Sequence, residues 1–242
     1  MKKLTSSVYT FEKIINNGFL YVDKTEYIWK LIDAAPASFF LSRPRRFGKS
    51  LTISTLKAVF QGKKDLFKGL AIYEKEYDWK EYPVIHLDMG NCDAKTPDAL
   101  DNFLFDTLEG LAEEHNVKLR GQSNAKRFEF LVEDIAKQNP VVILLDEYDK
   151  PILNTVMTSE AQACRDILKG FYSSIKQCES MERFVFVTGV TKFSHVSLFS
   201  ELNNLTDITM NREYATMFGY TQSEFETYFA DRIEDASKQL NM

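Results

Sequence analysis

The stretch Phe39–Leu56, FFLSRPRRFGKSLTISTL, decides how the rest of the chain is read. Ala37–Ser42 is apolar and strand-like, Arg43–Gly48 is basic and turn-forming, and Lys49–Phe60 carries apolar residues at helical spacing. A strand, a tight loop and a helix in that order aim the free N–H groups and positive dipole end of the helix at an anion. Gly48-Lys49-Ser50 closes the loop as G-x-x-x-x-G-K-[ST] does. In that pattern backbone N–H groups and the lysine hold phosphates while the hydroxyl meets Mg²⁺. The opening glycine is absent, and Arg43 stands in its place. On these residues alone, a basic surface turn that happens to contain Gly-Lys-Ser is the competing reading.

The chain has 242 residues, 44% of them hydrophobic, enough for one large domain with a substantial core. A net charge of −5 argues against a broad nucleic-acid-binding face, and the basic patch at Arg43, Arg45, Arg46 and Lys49 is local. Cys92, Cys164 and Cys178 are odd in number and widely spaced, which suggests neither a disulfide framework nor a zinc site and points to a reducing, cytoplasmic setting. No leader-like apolar run follows Lys2-Lys3, and no 18 apolar residues run together, so secretion and membrane spanning are not expected.

Residues 1–36 read as a segment packed on the core: a short helix over Phe11–Asn16, a turn at Asn17-Gly18, and a helix opened by Asp23 as N-cap and running to about Ala35. Lying just before the first strand, this segment is either a structural flap or a cover for the base and ribose of a nucleotide. Pro83–Asp88 is a buried strand, and its lone His86 reads as a hydrogen-bonded core residue. Asp98–Glu114, Ala125–Gln138 and Ser159–Cys178 have helical periodicity.

Pro140–Asp146, PVVILLD, is the strongest strand, a continuous apolar run suited to a central parallel position and ending in Asp146-Glu147. Carboxylates at the C-terminal end of a buried strand need a cation or donors, and that edge of a parallel sheet is where ligands bind. This is the Walker B pattern: Asp146 for the metal with Ser50, Glu147 for the attacking water. Glu182–Thr188 is a fourth strand ending in Thr188-Gly189-Val190-Thr191-Lys192. Thr188, in preference to Thr191, is placed as a sensor of terminal phosphate or water, with Lys192 and His195 as further residues that could face the site. Leu202–Met210 holds a short fifth strand, and a capping box at Thr221–Glu224 opens an amphipathic helix to about Leu240.

Tyr21-Val22-Asp23-Lys24-Thr25, Arg43–Leu51, Leu145–Asp149, Thr188-Gly189-Val190 and Asn203–Asp207 together resemble the AAA-ATPase-like family of bacterial P-loop proteins, over nearly the whole chain. The Arg-Pro-Arg-Arg-Phe-Gly-Lys-Ser form is itself characteristic of that family, so the resemblance makes Arg43 a family trait. It implies a three-layer α/β P-loop NTPase fold with a mostly parallel sheet of about five strands. The ATPase core falls at 37–215, and 216–242 is a C-terminal helix that could begin a lid or second domain. The implied ligands are ATP and Mg²⁺, with nucleotide contacts at Arg45, Arg46, Phe47, Gly48, Lys49, Ser50 and Leu51 and catalytic roles for Lys49, Glu147 and Thr188. Many relatives carry a C-terminal nuclease-like domain of the PD-(D/E)xK type, so a protein partner or an effector domain is implied. No separate D…(D/E)-x-K cluster is present here, and nucleic-acid binding by this chain is not supported. Arg45 and Arg46 either supply charge to the reacting phosphate or pair with acids such as Asp149 to fix the loop. Arg183 and Arg212 have no support as arginine fingers. The alternatives to a self-standing ATPase are a nucleotide-binding regulatory switch with little turnover and the ATPase part of a nuclease or DNA-processing system.

Overall fold

The structure, a computed structural model, describes residues 1–34, 37–191 and 204–240. Its centre is a sheet of β1 (Ala37–Ser42), β2 (Val84–Asp88), β3 (Val141–Asp146), β4 (Glu182–Gly189) and β5 (Thr206–Asp207), in the order β2-β3-β4-β1-β5. Every pairing among them is parallel. Parallel neighbours need long crossovers, which cover both faces with helices and leave the strands continuously apolar. All six residues of β3 are buried.

Alternation along the strands assigns the two cores. Val141, Ile143 and Leu145 point to the layer of α4 (Pro97–Glu114), α5 (Asn124–Ile135) and α7 (Ala161–Gln177). Val142 and Leu144 point the other way, to α1 (Phe11–Asn16), α2 (Thr25–Asp33) and α3 (Lys49–Phe60). The same parity, carried one residue on, sends Asp146 to the α3 face. Asp88, two residues beyond His86 on β2, and Thr188, two beyond Phe186 on β4, follow the same rule. Three neighbouring strands therefore end in polar residues on the face that carries the helix after the loop.

The N-terminal segment is part of the core, since Phe11, Ile28, Leu31 and Ile32 pack with α3 and the sheet. Asp23 does not sit at the N-cap position, which is Lys24. It stands one residue further out, where Oδ1 accepts from Thr25 N at 2.8 Å and Oδ2 accepts from Ala71 N at 2.7 Å, joining the helix start to a distant turn. Lys24 donates to Glu224 at 2.6 Å and to Thr216 O at 2.7 Å.

The structure adds local detail to these elements. β5 is only two residues long, because the Asp207 side chain accepts from Thr209 N at 2.9 Å and turns the chain away. After Asp149 the chain runs directly into a short helix, α6 (Lys150–Thr155), with Pro151 in its first turn, where a missing N–H costs nothing. The C-terminal helix starts at the expected capping box but is two helices, α8 (Gln222–Tyr228) and α9 (Ala230–Leu240). They part at Phe229, whose ring packs back against Phe225 and Tyr220. Among the described residues no helix is long and apolar enough to cross a membrane, and the three cysteines are free and buried.

Candidate nucleotide site at the C-terminal edge of the sheet

The loop between β1 and α3 shows how Arg43 replaces glycine. Its guanidinium donates to Thr209 O at 2.6 Å and Ser42 O at 3.0 Å and lies over the Phe218 ring. Arg43 is thus a strut to the chain beyond β5 and needs no left-handed backbone. Positive φ falls at Arg46 (67°) and Gly48 (87°) instead. For a non-glycine residue such a conformation costs roughly 1 kcal/mol, and it persists where surrounding structure imposes it. Lys49 is 5% exposed, and its Nζ donates to Arg43 O at 3.0 Å and Pro44 O at 3.2 Å. The ammonium therefore sits inside the loop, at the first turn of a helix whose N-cap supplies no side-chain hydrogen bond.

Arg45, Arg46 and Phe47 are exposed. Of the two readings of these arginines, pairing with Asp149 does not occur. Asp149 is fully buried, and its Oδ2 accepts from Val190 N at 2.9 Å, Thr191 N at 2.7 Å and Thr191 Oγ1 at 2.7 Å. Its role is to pin the chain leaving β4. Among the described residues neither arginine has an ion-pair partner.

The turn after β3 is built in the opposite way. Asp146, 4% exposed, accepts at Oδ1 from Glu147 N at 3.0 Å and from the Thr188 hydroxyl. Glu147 has φ 51°, a second left-handed non-glycine residue at this edge. Tyr148 N donates to Thr188 O at 2.9 Å, and its hydroxyl donates to Thr191 O at 3.1 Å. Gly189 is required beside it, since a Cβ there would stand 2.5 Å from the Tyr148 ring. Thr188 itself is fully buried, so its hydroxyl orients Asp146 and does not reach the cleft as a sensor would. Thr191 is likewise spent on Asp149. Lys192 and His195 lie outside the described residues.

Ser50, Asp146 and Glu147 line one cleft of about 640 Å³, together with His86, Asp88 and Gly90. The cleft continues along α3 past Ser54 and Lys57 to Tyr9 and Thr10 of the N-terminal segment. His86, expected in the core, is in this wall; burial, with Lys57 beside it, lowers its pKa and favours the neutral ring. Asp88 is the residue that reading the sequence missed. It pairs in register with Asp146, and a Cβ on Gly90 would stand 2.9 Å from Asp88 Oδ1 and 3.3 Å from Glu147 Oε2. A signal existed, because PVIHLD and PVVILLD are both proline-led apolar runs ending in aspartate. Arg183 donates to Ile32 O at the opposite end of β4, and Arg212 lies in a helical turn after β5; neither lines the cleft. Among the described residues no three His, Cys, Asp or Glu side chains cluster as a metal cage. Ser50 and Asp146, a hydroxyl and a carboxylate facing the cleft, suit a hard cation that keeps water and phosphate ligands.

This strand order, with a Gly-Lys-Ser helix start after β1 and a buried acid ending β3 two strands away, defines a three-layer α/β protein of the P-loop NTPase-like kind. A family profile described as "Predicted AAA-ATPase" matches residues 6–199, and the chain belongs to this AAA-ATPase-like family. A curated protein of Azotobacter chroococcum mcd 1, "Uncharacterized protein in vnfD 5'region", is 38% identical over 237 residues, covering 96% of this chain and 46% of that protein. The chain thus spans about half the length of that relative.

Proposed function

We propose that the chain is a Mg²⁺-dependent ATP-binding and ATP-hydrolysing module whose triphosphate site is the loop Arg43–Ser50. The observation that carries this reading is the convergence of Ser50, Asp146 and Glu147 on one cleft at the N-terminus of α3. Lys49 would exchange its bonds to Arg43 O and Pro44 O for phosphate oxygens, and Phe47–Leu51 would offer backbone N–H groups. Ser50 and Asp146 would hold the cation, which when bound neutralises charge on the phosphates. Thr188 fixes the rotamer of Asp146. Glu147 would orient the attacking water and accept its proton, and Arg45 or Arg46 would face charge on the reacting phosphate. The switch reading draws on one feature: Lys49 is held by its own loop, so ligand entry must rearrange the loop. A C-terminal effector domain would take up that rearrangement in longer relatives.

In calorimetry with Mg-ATP, Lys49→Ala should weaken binding at least ~100-fold, a loss of about 2.7 kcal/mol. Retained affinity and turnover in this variant would remove the assignment. Glu147→Gln should keep binding while phosphate release falls ~10³-fold, or about 4 kcal/mol in barrier. Negligible wild-type turnover, unchanged in Glu147→Gln, would favour the switch.

A further inference from the structure

Arg43, standing where the G-x-x-x-x-G-K-[ST] pattern has its first glycine, is bonded in two directions. Its carbonyl, with that of Pro44, accepts from Lys49 Nζ at 3.0 Å and 3.2 Å. Its guanidinium donates to Thr209 O at 2.6 Å and lies 5.7 Å from the centre of the Phe218 ring. The segment carrying Thr209 and Phe218 is in turn fastened to the start of α2. Lys24 Nζ donates to Thr216 O at 2.7 Å and to Glu224 Oε1 at 2.6 Å, and the hydroxyls of Tyr27 and Thr216 meet at 2.5 Å. We propose that residues 209–224 are a strap which, through Arg43, holds the loop with Lys49 turned inward and is released when a triphosphate draws Lys49 out. The inference rests on the loop being the phosphate site and names what regulates it.

The Lys49 ammonium spends its hydrogen bonds on the carbonyls of Arg43 and Pro44, so an arriving phosphate must compete with both. Once it wins, those carbonyls lose their cation and the loop backbone shifts. With glycine at position 43 the shift would end in the loop. Arginine carries it outward, because a 2.6 Å hydrogen bond and a ring contact tolerate little displacement. Phe218 receives the shift at a second point, since its ring lies 3.8 Å from where a Cβ on Gly48 would stand. The strap is built to let go: only Tyr214 and Met217 within it are buried, whereas Met210 is 90% and Tyr220 63% exposed. It also has room to move. A cavity of about 690 Å³ opens between Phe218, Tyr220 and Phe229 on one side and Leu20, Tyr21 and Val22 on the other. Coupling of this kind is reciprocal, so a strap that binding frees is one whose freeing favours binding.

Hydrogen exchange of the full chain, read by mass spectrometry with and without saturating Mg-ATP, tests the strap. Amides of residues 209–224 should exchange about 10-fold faster with Mg-ATP, while those of β3 stay protected. Arg43→Gln should quicken the same amides before any nucleotide is added, and unchanged exchange in that variant would remove Arg43 as the link. Lys24→Met lies outside the phosphate loop and frees Thr216 and Glu224 from α2. In calorimetry it should tighten Mg-ATP about 5-fold, whereas a lysine that only supports the fold would leave affinity unchanged or lower it. Mg-ATP binding that leaves exchange at 209–224 unchanged or slows it, or a Lys24→Met variant with unaltered or weakened affinity, would overturn the strap while leaving the phosphate site standing. Failure of Mg-ATP to bind either protein would overturn both.

Discussion

The loop after β1 and the turn after β3 face one another across the same sheet edge, yet they are held in opposite ways. In the turn, Asp146, Tyr148 and Asp149 each have hydrogen-bond partners on or beside β4, and two of the three are completely buried. In the loop, Arg45, Arg46 and Phe47 stand in solvent, and among the described residues Lys49 bonds only to carbonyls of its own loop. The turn is therefore fixed by its own hydrogen bonds, the kind of preorganisation that the proposed catalytic role requires. The loop leaves the side chains of Arg45, Arg46 and Phe47 in solvent and holds Arg46 in a left-handed conformation.

The sharpest way to break this contrast is at Gly189. An alanine Cβ would press on the Tyr148 ring at 2.5 Å and on Asp149 Oδ1 at 3.0 Å, so Gly189→Ala should lower the urea-unfolding free energy by ~3 kcal/mol. A loss under ~0.5 kcal/mol would mean that the turn is not rigid. The far end of β4 gives a reference that responds to pH. Burial, with Glu179 adding, raises the Glu182 carboxyl to about 8, and its Oε1 has no partner. The folded state thus holds a proton that the unfolded chain releases near 4.5, so stability is full at low pH and declines as pH rises from there to about 8. Glu182→Gln should flatten that decline and gain on the order of 2 kcal/mol at pH 9, seen in urea midpoints. An unchanged pH profile would show that Glu182 is solvated.

Smaller effects separate the two regions further. Thr188→Val removes the hydroxyl that donates to Asp146 and should cost ~1.5 kcal/mol of stability. It should also raise the Mg²⁺ concentration for half-maximal turnover by more than it changes affinity for metal-free ATP. A variant with unaltered Mg²⁺ dependence would confine Thr188 to packing. The smallest change is expected in the loop: Arg46→Gly relieves the left-handed strain and should stabilise the fold by ~0.5–1 kcal/mol while lowering turnover. A stability loss would show that the Arg46 side chain holds the loop after all.

Much of the framework was legible because its signals are local. The apolar runs at 83–88 and 140–146 mark strands whatever surrounds them, and Gly-Lys-Ser after one strand and Asp-Glu after another stand at the same edge of the sheet. Of the two readings of Arg45 and Arg46, pairing with Asp149 is excluded because burial gives that carboxylate three donors from the β4 exit, which charge alone could not show. Thr188 was read as reaching outward because its position at a strand end is visible in sequence but its distance from solvent is not. Asp88 went unnoticed because its meaning depends on register with Asp146, a relation across more than 50 residues.

By itself the sequence determined which residues form strands, where the helix after the loop begins, and which residue types stand at the sheet edge, since periodicity and turn chemistry act over a few residues. Tertiary structure alone decided that β4 separates β1 from β3, that Lys49 is held by its own loop, and that segments around residues 20 and 220 wall a common cavity. Strand order, burial and long-range hydrogen bonds arise when elements pack, and no local pattern encodes which partner each will meet.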